Sequence, residues 1–168
     1  RMDVVTLRGH LQSVHLYGVT NARPVIVSSG DGGWIHLGPH VAQLLAAHGY
    51  FVVGFDVRAY LSGFTSDAST LQAADEPSDF RTLSQYATQF ARSKPILIGI
   101  SEGAGLSILA ASNPLAQRSI AGVIGIGLPD RNELGWRWKD SLIYVTHRVP
   151  NEPTFSAASL IGKVSPLP

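Results

Sequence analysis

The chain has 168 residues, 45% of them apolar and 15% charged, with a net charge of +1 and no cysteine. That is enough apolar material for one compact domain, and it excludes a disordered segment, a disulfide framework and a thiolate metal site. No run of Lys or Arg offers a nucleic-acid footprint, and no apolar stretch approaches the roughly 20 residues of a transmembrane segment.

Asp3–Leu7 and Gln12–Tyr17 alternate as two edge strands joined around Gly9. Pro24–Ser29 reads as a more buried strand that runs into Ser29-Gly30-Asp31-Gly32-Gly33-Trp34. Leu37, Val41, Leu44 and Leu45 recur at helical spacing, with Gly49 where a C-cap belongs, and Tyr50–Asp56 is a buried parallel strand. From Arg58 to Glu76 the composition turns to Ser, Thr, Ala and Asp, which predicts a surface loop. Ser78 then caps a helix whose Phe80, Leu83, Tyr86, Ala87 and Phe90 form one core-facing stripe.

Residues 95–105, Pro-Ile-Leu-Ile-Gly-Ile-Ser-Glu-Gly-Ala-Gly, are an apolar strand entering G-x-S-x-G and then a helix of small residues. This is the pattern of a nucleophile elbow, in which a tight strand-to-helix turn exposes the Ser101 hydroxyl. The new helix aims free N–H groups at the place where an oxyanion would form. The first oxyanion donor is then the Glu102 amide. The second belongs to the turn after the third strand, at Asp31 or Gly32, with Gly30 and Gly33 allowing close backbone approach to a ligand. An Asx-type turn without catalytic role is the plainer reading of Asp31. Trp34 either walls the substrate pocket or packs on the helix that follows. Ile120–Gly127 is the next strand, and Ser156–Ile161 a further helix. Strands alternating with helices imply a mostly parallel sheet covered on both faces, with its chemistry at the C-terminal strand ends.

SSGDGGW (28–34), YFVVGFDVRAYLSGF (50–64), GISEGAG (99–105) and the glycine-rich strand after it resemble the bacterial virulence protein family of VirJ and AcvB over roughly residues 24–128. The resemblance implies an α/β-hydrolase fold acting outside the cytoplasm, in the periplasm or another extracytoplasmic compartment. It also implies hydrolysis of aminoacylated phosphatidylglycerol or a secretion-linked accessory role. Ser101 then matches the nucleophile and Gly30–Trp34 the oxyanion loop. The turn Asp56-Val57-Arg58-Ala59-Tyr60 departs from the family's Asp-Ser-Leu-Arg-Tyr, and Glu102 is an acidic elbow residue.

A serine of this kind needs a histidine and an orienting acid, in the chain order Ser, acid, His. Only His147 follows Ser101, preceded by Asp130, Glu133 and Asp140, and it sits in a segment, 131–159, that reads as a cap-like insertion. About six strands are accounted for, so the expectation is a single domain that forms the N-terminal portion of a hydrolase. The acid and base then lie beyond residue 168 or in a companion C-terminal fragment. His36 and His40 have the spacing of a helical metal pair, but Pro39 lies between them and no third ligand is evident; no metal or cofactor is expected. Trp136 and Trp138 alternate beside Arg137 and Lys139 as a surface strand or a lip for lipid headgroups. Two functions follow: a serine hydrolase of a small-molecule or lipid ester, or a non-catalytic accessory protein on the same frame.

Overall fold

The computed structural model describes residues 1–138 and 152–168. Its centre is a six-stranded sheet in the order β1-β2-β4-β3-β5-β6. The strands are β1 (Met2–Leu7), β2 (His10–Tyr17), β3 (Arg23–Ser28), β4 (Tyr50–Phe55), β5 (Ile96–Ile100) and β6 (Gly122–Ile126). Strands β1, β2 and β4 pair antiparallel, whereas β4, β3, β5 and β6 run parallel. The predicted opening hairpin is present, but only β1 is an edge: β2 is covered by β4 on its other side, from Val14 opposite Phe55 to Tyr17 opposite Val52.

Two apolar clusters lie on opposite faces of this sheet. The helix α1 (Leu37–Ala47) covers Val25, Val27, Val52, Ile98 and Ile100 through Ala42. The helices α3 (Glu76–Gln89) and α4 (Glu102–Ala111) join the larger cluster, which includes Ile26, Phe51, Phe55, Phe80, Leu83, Leu97 and Leu106. All ten residues of α4 are buried. Such depth requires small residues, since a Cβ at Gly103 in the first turn would lie against the Ser28 and Ser29 carbonyls.

The first part of the loop expected from Arg58 to Glu76 is instead a helix, α2 (Val57–Phe64). Asp56 caps it by accepting the Ala59 N–H (3.0 Å), and Val57, Tyr60 and Leu61 bury one face at helical spacing. Loop structure begins only at Thr65. The stripe on α3 packs as expected, with Phe80, Leu83 and Ala87 buried and Tyr86 and Phe90 partly so. A short helix α5 (Pro114–Gln117) follows α4, capped by Asn113.

The β1–β2 turn is pinned to this layer by charge. Arg8, at a positive φ of 46°, places Nε and Nη2 on the carboxylate of Asp79 (2.9 and 2.8 Å), which also accepts the Tyr60 hydroxyl (2.6 Å). Of the segment 131–159, the structure describes both ends. There β7 (Asn132–Glu133) pairs antiparallel with β8 (Thr154–Phe155), while Asp140 and His147 lie outside the described residues. The expected last helix is a 3-10 helix, Ala158–Lys163.

Candidate active site

Between β3 and β5 the order of connections reverses. From β3 the chain passes through α1 to β4 on one side, and from β4 it returns across β3 to β5 on the other. The loops leaving the C-terminal ends of β3 and β5 therefore diverge and leave a crevice, which is where ligands sit in open α/β sheets. Those two loops carry Ser29–Trp34 and Ser101.

Ser101 stands between β5 and α4 with φ 52° and ψ −116°, a conformation that costs a non-glycine residue on the order of 1–3 kcal/mol. The turn is held from both sides: the Ser101 N–H donates to the Ile126 carbonyl (2.8 Å), and its own carbonyl accepts from Ala104 (2.8 Å). A Cβ at Gly99 would lie 2.1 Å from the Gly103 carbonyl oxygen, and one at Gly103 would lie 2.4 Å from that of Ser29. The strain is thus imposed by packing that only glycine permits at those two positions. Ser101 is partly exposed, and among the described residues no side chain hydrogen-bonds its hydroxyl.

The β3 loop reaches Ser101 through Gly30, where an added Cβ would sit 3.3 Å from Ser101 Cβ and 3.8 Å from its Oγ. The loop folds on itself, with the Gly33 N–H donating to the Gly30 carbonyl (3.1 Å) and Gly33 at φ 86°. Its two ends are anchored to the start of α2. Ser29 Oγ accepts the Val57 N–H (3.0 Å), and Asp56 Oδ2 accepts the Trp34 N–H (3.1 Å). Asp31 and Gly32 are exposed at the tip of the turn. The Trp34 ring takes the packed position, not the pocket wall. It stacks on His15 (5.2 Å between centroids), donates Nε1–H to Tyr17 (3.2 Å), and fills the space over Gly54 and Gly38 that a Cβ at either would need.

Glu102 turns away from Ser101 toward the β7 strap. Its carboxylate accepts the Glu133 backbone N–H, and Asn132 packs over Gly105, where a Cβ would lie 2.0 Å from the Asn132 amide nitrogen. Burial pushes the Glu102 carboxyl up to about 7. The Glu133 N–H and the Asn132 side chain lower it, and the Glu133 and Asp31 carboxylates raise it. The elbow's acidic residue is therefore a tether for the segment that covers it.

Asp130 is exposed, and no described histidine reaches the serine. His40 spends its Nδ1 on the His36 carbonyl (2.7 Å). Among the described residues, no group of three or more His, Asp or Glu side chains is placed to hold a metal, and no helix is long and apolar enough to cross a membrane. Sequence reasoning missed Asp56 and Ser29 as anchors of the β3 loop. The signal for Asp56 was available, since an Asp before Val57-x-x-Tyr60-Leu61 is a capped helix start.

The family model of the bacterial virulence protein (VirJ) matches residues 23–128, more than half of the chain, with both the Ser29–Trp34 loop and Ser101 inside the match. The chain belongs to the VirJ family. No curated protein matches the sequence. Solved structures with the same fold include the alpha/beta hydrolase GrgF from Penicillium sp. sh18, with a TM-score of 0.62 and 13% identity over 99% of this chain and 77% of that one. The thioesterase domain from the curacin biosynthetic pathway gives a TM-score of 0.54 and 21% identity, covering 92% of this chain and 56% of that one. Brefeldin A esterase, a bacterial homologue of human hormone sensitive lipase, gives 0.52 and 16%, covering 73% and 38%. The fold of this VirJ-family chain is that of the α/β hydrolases, and the chain spans about half the length of the thioesterase domain it matches.

Proposed function

We propose that this VirJ-family chain carries the nucleophilic half of a serine hydrolase that cleaves an ester, with an aminoacylated phospholipid or another polar ester as substrate. The observation that carries the reading is the strained Ser101 at the sheet's switch point, touched by Gly30 and followed directly by a helix N-terminus. In this mechanism Ser101 Oγ attacks the ester carbonyl and transfers its proton to a histidine. The tetrahedral oxyanion is held by the Glu102 amide and by the amide of Asp31 or Gly32, each donor being worth about 3–4 kcal/mol. Collapse expels the alcohol, and water then releases the acyl group from Ser101.

The acid and the histidine are proposed to come from residues outside the described ones, as His147 or as groups beyond residue 168, whether in the same chain or in a companion fragment. The reaction is placed outside the cytoplasm, in the periplasm or another extracytoplasmic compartment, as the VirJ resemblance implies. That no described side chain hydrogen-bonds the Ser101 hydroxyl also favours a second reading, a non-catalytic accessory protein that keeps the frame as a binding surface.

A fluorophosphonate probe separates the two readings. Labelling of the full-length protein that is lost in Ser101→Ala supports the hydrolase. No labelling of a folded protein, or labelling that persists in Ser101→Ala, rejects it.

A further inference from the structure

We propose that Arg58 reads an oxyanion, a phosphate or carboxylate, on the ligand that binds beside Ser101. The assignment builds on the reading of that crevice as the ligand site, and it starts from an unspent guanidinium. Arg58 lies in the first turn of α2, partly buried, with its fork laid against the open side of Gly33. A Cβ there would meet Nε at 3.0 Å and Cζ and Nη2 at 3.1 Å. Gly33 closes the same turn whose Gly30 touches Ser101. The guanidinium carbon is also 5.5 Å from the Trp136 ring centroid.

A glycine and an indole thus hold the fork in place without using its five N–H donors. Among the described residues no carboxylate pairs with Arg58. The acid nearest in sequence, Asp56, has one oxygen on the Trp34 N–H and the other on the Ala59 N–H. A cation partly withdrawn from water is unfavourable until an anion meets it, and a guanidinium fork matches phosphate and carboxylate oxygens two at a time. Trp136 also borders a cavity of about 360 Å³, lined by Thr65, Asp67, Arg137 and Trp138 among others. Arg137 is paired there with Glu152, and among the described residues Arg58 is the cation against this loop that no carboxylate meets.

The test is a titration of the ¹⁵N-labelled chain with phenyl phosphate, benzoate and phenol, following the Trp136 indole N–H, which is assigned by its loss in Trp136→Phe. Saturable shifts are expected with one or both anions and none with phenol, and the tighter anion identifies the oxyanion. Arg58→Lys, which keeps the charge but loses the fork, should weaken binding several-fold, and Arg58→Gln at least tenfold. Equal binding of phenol, absence of any saturable shift, or an Arg58→Gln affinity within twofold of the parent would overturn the assignment. Fluorophosphonate labelling of the same sample keeps the two readings apart. Labelling without anion binding rejects the Arg58 role alone, whereas anion binding without labelling rejects the hydrolase alone.

Discussion

Gly103→Ala is the sharpest residue-scale test of how the serine turn is held. Its Cβ would lie 2.4 Å from the Ser29 carbonyl oxygen and 2.6 Å from that of Ser28, with backbone on both sides and nothing flexible to yield. A loss of at least about 3 kcal/mol in urea denaturation is expected. Gly32→Ala, where the added Cβ meets nothing within 4 Å, should stay within about 0.5 kcal/mol of the parent. Glu102 supplies a second test at this scale. Its carboxyl titrates near 7 in the fold against an ordinary value of 4.5, so it binds its proton more readily folded than unfolded. The stability it contributes is complete below about pH 4.5 and is gone once the pH passes 7, a change on the order of 3 kcal/mol. Glu102→Gln should flatten that decline, and parallel stability curves for variant and parent between pH 4.5 and 7.5 would refute the assignment. Gly99, Gly103 and Ser101 were legible in the sequence because a G-x-S-x-G turn needs them locally. The packed place of Trp34 and the Asn132 partner of Gly105 were not, since each contact joins residues far apart in the chain.

At the scale of elements, the clearest miss is α2. Ser62, Gly63, Thr65 and Ser66 read as loop, and the run of small polar residues masked a cap and three apolar positions at helical spacing. The helix matters because its first turn holds the β3 loop through Asp56 and presents Arg58 to it. The joint between the β1–β2 turn and α3 is likewise invisible in sequence, for Arg8 and Asp79 are 71 residues apart. Asp79 is 1% exposed, and its removal strands both the Arg8 fork and the Tyr60 hydroxyl. Asp79→Ala should therefore cost about 3 kcal/mol by chemical denaturation. Asp75→Ala, which breaks only the exposed outer contact of Arg8, should change stability by less than about 0.5 kcal/mol. Equal effects of the two variants would show that the buried pair does not anchor the hairpin.

For the molecule as a whole, alternation of strands and helices foretold the sheet and put the chemistry at its C-terminal edge. It did not foretell the strand order, because pairing depends on where each crossover lands. That order places the two diverging loops side by side and makes one crevice of residues 29–34 and 101–103. The histidine expected to serve Ser101 is not among the described side chains near it, so what the described residues account for is the strained Ser101 turn and the glycine loop beside it. The most direct measurement is a crystal structure of the full-length protein after reaction with diethyl p-nitrophenyl phosphate. The expected result is a phosphoryl group on Ser101 Oγ, with one phosphoryl oxygen about 2.7–3.1 Å from the backbone nitrogens of Glu102 and of Asp31 or Gly32. An unmodified Ser101, or an adduct whose oxygens point away from both amides, would contradict it.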